Sequence, residues 1–350
     1  MKQHPRKKDD IYRILIVEPN WLGDVMFTTP AIRAVRKAFP EAYISCWSVP
    51  RVADVLRRNP NVDEVIVYDE RRWYQSIGSA IKFVAEISNR CFDLGILFHR
   101  SFTRALVLRL AGVAETVGQA SPKRRWLGIS HLIDLDYNGM HRVEFYLKII
   151  GAIGISPDGY YYDFRLREED IKYVRSMLEF WGVRDNFVAL VPGANWDRKR
   201  WPEENFASLA EKIVGELGMD VVLVGSGRDL FLCESIAERS QYRERVFVAA
   251  GKTTISQLAG LLSIARVVVA NDTGPLHIAA AVNNNVIGIF GPTSPKITGL
   301  YGDLAGNNLF VPVGCSVPCY LSECINDFMC MKVITVDMVF ERLVKFYEGK

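Results

Sequence analysis

Short runs of β-branched and aliphatic residues recur along the chain, each followed by a segment whose apolar positions return every three to four residues. In the first half the runs are YRILIVE (12–18), AYISCWSV (42–49), EVIVYDE (64–70) and DLGILFHR (93–100). Helical periodicity fills the gaps, as in PAIRAVRKAF (30–39) and SIGSAIKFVAEISNR (76–90). Strands separated by helices of that length predict parallel sheets with right-handed crossovers. A polar, aromatic, turn-rich stretch at 156–170 reads as a linker, and the pattern then restarts. The second half offers FVALVPGA, MDVVLVGSG, RVFVAAG, RVVVAND and NVIGIFGPT, and closes on an amphipathic helix in TVDMVFERLVKFYEG (335–349). Two doubly wound halves are therefore expected. Folds of this kind take ligands at the carboxyl ends of their strands.

Length agrees with that division, because 350 residues suit two domains better than one core. The expected boundaries are a basic leader at 1–10, an N-terminal domain at 11–160, a C-terminal domain at 161–334 and the closing helix at 335–350. Net charge is only +3, which argues against a nucleic-acid binder. Basic residues do cluster in MKQHPRKK, in RRW at 71–73 and in KRRW at 123–126. Arg71, Arg72, Lys123, Arg124 and Arg125 either meet anionic groups of a substrate or membrane surface or simply face water. No apolar run approaches the ~18 residues of a spanning helix, and the basic start lacks a signal peptide's apolar core. A cytoplasmic protein, at most peripheral to a membrane, is expected.

Each strand of the second half ends in small or polar residues: PGAN, GSGRD, AGKTT, NDTGP and GPTSP. Glycine lets backbone N–H groups approach a phosphate, and a following helix start adds positive potential. Five such exits on one sheet edge point to a nucleotide or sugar-nucleotide site. Gly193, Asn195 and Gly225 belong to these loops. In NDTGPLHIAAA (271–281) Thr273 is placed to cap the helix and Pro275 to enter its first turn. Thr273 and His277 lie four apart, on one face, with Asp272 just outside. The alternative is a capped core helix with a satisfied histidine. Lys199 and Arg200 precede the helix start WPEENF and suit a diphosphate, or else an exposed basic loop. GSGRDL lacks the third glycine of a dinucleotide fingerprint, so a nicotinamide reading is weak.

In the first half, YRILIVE runs into PNWLGDV, which puts Gly23 and Asp24 where a helix begins. A carboxylate there is either a general base or a helix-capping group. Cys315, Cys319, Cys324 and Cys330 follow a C-x3-C-x4-C-x5-C spacing without the paired knuckle of zinc sites. A structural metal and free or redox-labile thiols both remain open. The D-x-D in IDLD (133–136) reads as strand alternation.

Taken together, ILIVEPNWLGDVMFTTPAIRAVRKAFP, HRVEFYLKIIGAIGI, VPGANWDRKRWPEENFASLA and VVVANDTGPLHIAAAVNNNVIGIFGPTSP resemble the ADP-heptose:lipopolysaccharide heptosyltransferases of glycosyltransferase family 9. The likeness covers most of the chain, and the W-x-G-D opening is nearer the second heptosyltransferase type than the first. The resemblance implies a GT-B fold, two Rossmann-like domains facing across a cleft, with the donor on the C-terminal half and a lipid-linked acceptor on the N-terminal half. It implies an inverting transfer of heptose from ADP-L-glycero-D-manno-heptose to the lipid A–Kdo inner core of lipopolysaccharide. Asp24 then matches the catalytic base, and Lys199 the lysine that meets the diphosphate. Asp272, Thr273, Gly274 and His277 match the donor motif, and Thr253 the adenine wall. No cofactor and no metal site are required by the resemblance, although a divalent cation is compatible with it. The NWDRK loop departs from the family pattern at Asn195 and Trp196, and Arg200, Gly193 and Gly225 are secondary donor-loop candidates.

Overall fold

The computed structural model describes residues 10–68, 76–121, 123, 127, 129–319, 321 and 323–349. The chain divides into two compact units, Met1–Arg165 and Leu166–Lys350. The division falls inside the polar stretch read as a linker, a few residues past the boundary expected at 160/161. The reason is local. Tyr161 and Asp163 are tied to the first helix through Arg33 and Thr29, and the Arg165 N–H donates to the Arg58 carbonyl at 2.7 Å.

The N-terminal unit is a six-stranded sheet in the order β3-β2-β1-β4-β5-β6. Its strands are β1 (Arg13–Val17), β2 (Tyr43–Ser48), β3 (Glu64–Val67), β4 (Leu94–Leu97), β5 (Glu115–Gln119) and β6 (His131–Ile133), all paired in parallel. Helices α1 (Leu22–Ala38), α2 (Ala53–Arg57), α3 (Ile77–Asn89) and α4 (Phe102–Leu110) form crossovers, and α5 (Arg142–Gly151) follows β6 and packs on α1. Strand β1 is apolar and buried from Ile14 to Val17 because both sheet faces are covered, as parallel sheets require. Leu15, Val17, Trp47, Leu97 and Leu108 share one buried cluster. Helix α1 starts at Leu22, in keeping with the helix start expected at Gly23 and Asp24, and runs through Pro30. A proline inside a helix withholds the N–H that the carbonyl four residues back should receive. That carbonyl belongs to Met26, and the Thr29 hydroxyl donates to it instead at 2.8 Å. The helix therefore runs on.

The C-terminal unit repeats the plan with the order β12-β11-β10-β7-β8-β9. It comprises α6 (Glu168–Phe180), β7 (Phe187–Val191), α7 (Glu203–Leu217), β8 (Asp220–Leu223), α8 (Leu230–Arg239), β9 (Val246–Val248), α9 (Ile255–Ile264), β10 (Val267–Asn271), α10 (Gly274–Val282), β11 (Val286–Phe290), α11 (Pro295–Thr298), β12 (Asn308–Phe310), α12 (Met329–Lys332) and α13 (Val336–Tyr347). Its strands also pair in parallel. Leu190, Trp201, Phe206, Val221, Val269, Ile289 and Leu343 meet in its core. The last of these places α13 on this unit, where Lys212 also pairs with Asp337 at 2.7 Å. Each fully buried aliphatic side chain of this kind stabilises the fold by about 1.5–3 kcal/mol. Strands β5, β6 and β12 had no clear apolar run, because β6 and β12 are three-residue edge strands and β5 reads ETVGQ.

Both orders reverse direction once, between β1 and β4 and between β7 and β10. Ligands of open α/β sheets settle beyond the carboxyl ends of strands at such switch points.

Candidate active site

At the N-terminal switch point the chain leaves β1 through Glu18, Pro19, Asn20 and Trp21. Glu18 is fully buried. Its carboxyl accepts the Thr28 hydroxyl at 2.8 Å and lies 3.8 Å from the Cys46 thiol. Burial pushes Glu18 up to about 8, against the smaller opposing pull of Thr28, Cys46 and Arg104. Arg104, also fully buried, reaches across from α4, the helix after β4. It donates through Nη1 to the Glu18 carbonyl at 2.5 Å and through Nη2 to Asn20 Oδ1 at 2.7 Å. From the other side Arg51, which follows β2, donates through Nε to the Asn20 carbonyl at 2.7 Å. Its guanidinium lies 4.3 Å from the centre of the Trp21 ring, which is 52% exposed.

Trp21 is the N-cap residue of α1 and contributes no side-chain cap. Gly23 and Asp24 occupy the first turn, as the sequence suggested, and Asp24 is half-buried. The charge of Asp24 reaches Tyr146 on α5. The Tyr146 phenol is held well above its ordinary value, first by burial and next by Asp24. That phenol therefore stays neutral beside the carboxylate.

At the C-terminal switch point Asn271, the last residue of β10, is fully buried and fastens the exits of two strands. Its amide donates to the Pro192 carbonyl at 2.8 Å and its oxygen accepts the Trp201 N–H at 3.1 Å. This holds the loop 192–201 over β10. Lys199, at the end of the short turn Asp197–Lys199, thereby meets Asp272 Oδ2 at 2.7 Å. Thr298 Oγ1 lies 3.4 Å from the same oxygen, and His277 Nε2 lies 4.0 Å from the other. Asp272 and His277 are both buried, and Lys199 retains partial exposure. A lysine ammonium carries three donors, so one ion pair does not exhaust it.

Thr273 is the N-cap residue of α10, but its hydroxyl makes no cap bond, contrary to the capping role expected for it. The first N–H groups of a helix have no partner within it, and Pro275 in that turn has no N–H to satisfy. Gly274 opens the helix. Lys199, Asp272, Thr273, Gly274 and His277 are thus brought to one place. Thr253 lies five residues beyond the end of β9, which stands two strands past β7 in the sheet and so roughly 14 Å from β10 at the usual strand spacing. It is half-buried and directly precedes Thr254, whose side chain caps α9.

Other candidates sit differently. Arg200 is turned into its own loop, donating to the Ala194 carbonyl at 2.9 Å and pairing with Asp197 at 3.1 Å. Asn195 is exposed and Trp196 is half-buried. Gly193 and Gly225 both border Asp229, so a Cβ at either position would collide with that side chain. Asp229 also closes the capping box with Ser226. Close approach of a side chain thus accounts for both glycines.

The four clustered cysteines are free and half-buried. Asn326 Nδ2 donates to Cys315 Sγ at 3.0 Å and the Phe328 N–H to Cys324 Sγ at 3.1 Å. Among the described residues no three His, Cys, Asp or Glu side chains gather as a metal ion would need. Lys123 is exposed, whereas the leader 1–9 and Arg71, Arg72, Arg124 and Arg125 lie outside the described residues. Among the described residues no helix is long and apolar enough to cross a membrane.

Glu18, Asn20, Arg51, Arg104, Tyr146 and Asn271 were not singled out from the sequence. The acid ending an apolar run at Glu18 was a usable signal, but nothing local marks Arg104.

Comparison with known proteins bears on what these two places do. The profile of glycosyltransferase family 9 (heptosyltransferase) matches residues 80–327. The lipopolysaccharide heptosyltransferase 2 of Escherichia coli K12 is 27% identical over 297 residues, 82% of this chain and 84% of that protein. Lipopolysaccharide heptosyltransferase 3 of the same strain is 26% identical over 77% of this chain and 80% of its own length. The solved structure of E. coli ADP-heptose lipopolysaccharide heptosyltransferase II superposes with a TM-score of 0.80 at 24% identity, covering 96% of this chain and 99% of that one. That superposition establishes the GT-B fold. With the profile spanning well over half of its length, the chain belongs to glycosyltransferase family 9, the heptosyltransferases, and is a glycosyltransferase.

Proposed function

We propose that this enzyme transfers heptose from ADP-L-glycero-D-manno-heptose to a sugar hydroxyl of the lipopolysaccharide inner core, with inversion. Asp24 takes the proton of the attacking hydroxyl. The oxygen forms its bond to the anomeric carbon as the bond from that carbon to the diphosphate breaks, through an oxocarbenium-like state. ADP leaves with the bonding pair. Lys199 and the start of α10 at Thr273–Gly274 meet the charge that gathers on its phosphate, in positions set before the reaction begins. No metal ion is needed in this scheme. Asp272 and His277 hold Lys199 and the helix start in register. Thr253, some three strand spacings away, suits the adenine end of the same nucleotide. A lipid-anchored acceptor brings the enzyme to the cytoplasmic face of the inner membrane as a peripheral visitor.

The observation that carries this reading is the 2.7 Å Lys199–Asp272 pair, at the switch point and directly before a helix start. It is an arrangement suited to a diphosphate. The test is to incubate the protein with ADP-heptose and a heptose-deficient lipopolysaccharide core and weigh the product. A gain of one heptosyl residue is expected. A gain only with a different nucleotide sugar would replace the donor named here.

A further inference from the structure

We propose that Asn20, Arg51 and Arg104 form a clamp that positions Asp24, an inference that rests on the reading of Asp24 as the base. Helix α1 begins without a side-chain cap of its own, because its N-cap residue is Trp21. Something else must fix where its first turn sits. The β1–α1 loop is gripped from both neighbouring strands, β2 and β4, which flank β1 in the sheet. After β2, Arg51 donates to the Asn20 carbonyl at 2.7 Å and covers the Trp21 ring. After β4, Arg104 donates to the Glu18 carbonyl at 2.5 Å and to Asn20 Oδ1 at 2.7 Å.

Asn20 is the hub of this clamp. Its main chain is held by one arginine and its side chain by the other, one helical turn before Asp24. Arg104 is fixed in turn, fully buried with its guanidinium 5.1 Å from the Trp47 ring centre. A buried guanidinium is costly unless its N–H groups are bonded, so its orientation is set by these acceptors. Three positioning residues thus remove the freedom that an uncapped helix start would otherwise leave to the carboxylate. Displacement of a reacting group by about 1 Å can lower a rate ~100-fold.

The test is a double-mutant cycle on steady-state transfer. Asn20→Ala is expected to lower kcat by about tenfold or more, with KM for the sugar nucleotide within about twofold of wild type. Asn20→Asp, which keeps an acceptor for Arg104, is expected to recover most of the loss. Added to Asp24→Asn, Asn20→Ala should cost nothing further, since groups acting as one unit are not additive. Arg51 is exposed, so Arg51→Ala is expected to melt like wild type while showing a smaller fall of the same kind. It carries the cycle if Asn20→Ala fails to fold.

The same loss in the presence and absence of the Asp24 carboxylate would overturn the clamp, as would wild-type kcat in both Asn20→Ala and Arg51→Ala. Asp24→Asn turning over at the wild-type rate would instead defeat the base assignment itself, whatever the clamp variants do.

Discussion

At the C-terminal switch point the carboxylate nearest the strand end, Asp272, is met by Lys199 at 2.7 Å and lies within reach of His277 and Thr298. At the N-terminal switch point the acid nearest the strand end is Glu18, buried and pushed up to about 8, with its arginine neighbour bonded to its carbonyl. The carboxylate proposed to react, Asp24, stands further on, in the first turn of α1. The same strand order thus supports two electrostatic designs. One gathers positive charge around a carboxylate that is spent as a structural anchor. The other keeps its anchoring acid neutral and sets a second carboxylate at the helix start. The carboxylate proposed to accept a proton belongs to the second design. The first is the place proposed to meet the departing phosphate.

The largest effect expected is at Asp24. Asp24→Ala should lower transfer ~10²–10⁴-fold while ADP binding, followed by calorimetric titration, stays unchanged. Equal loss of both would erase the contrast between the two switch points.

Next comes Glu18. The folded protein keeps its proton up to about pH 8, whereas the unfolded chain releases it near the ordinary carboxyl value of 4.5. Between those values the native state binds the extra proton, so stability falls as pH rises and levels off on either side. Glu18→Gln should remove that fall, on the order of 3–5 kcal/mol across the window. Thermal melts of both proteins from pH 4 to pH 9 check it, and parallel curves would mean that Glu18 is ionised in the fold.

Lys199→Ala should weaken ADP binding by about 1–3 kcal/mol, the range for hydrogen bonds to charged groups. It should also lower the melting temperature, because Asp272 is left buried without its cation. Asp272→Asn in the same background should restore the melting temperature and leave ADP binding weak. Unchanged affinity would make the ion pair purely structural.

The smallest effect separates two adjacent threonines. Thr254→Ala removes the cap of α9 and should cost about 1 kcal/mol of stability with no change in ADP affinity. Thr253→Ala should do the reverse.

Much of the fold was legible because parallel sheets covered on both faces write themselves as apolar runs, and nine of these mark strands. The three-residue edge strands β6 and β12 escaped because a short edge strand needs little apolar surface, and the inner strand β5 because Val117 is the one large apolar residue among its five. The start of α1 was legible at Gly23 and Asp24, whereas only the Thr29 hydroxyl shows how the helix passes through Pro30. Among the candidate residues, Lys199, Asp272 and His277 could be named from the sequence because they follow the exits of β7 and β10. That Lys199 faces Asp272 was not, because Asn271 must first fold the 192–201 loop across β10. Arg104 is 84 residues from Asn20 along the chain, and its role exists only once β4 lies beside β1.

Helix α1 has a second attachment. Thr29 accepts the Asp163 N–H at 3.0 Å, Arg33 bonds the Asp158 carbonyl at 2.9 Å, and Lys37 reaches the Asp158 carboxylate at 2.5 Å. These contacts strap the far half of the helix to the last residues before the chain enters its second unit. A 17-residue helix is a stiff rod about 25 Å long. Any shift in the course of that strap is therefore passed along the rod toward Asp24, and Pro30, which offers no N–H to the Met26 carbonyl, is the place between them where the helix can bend.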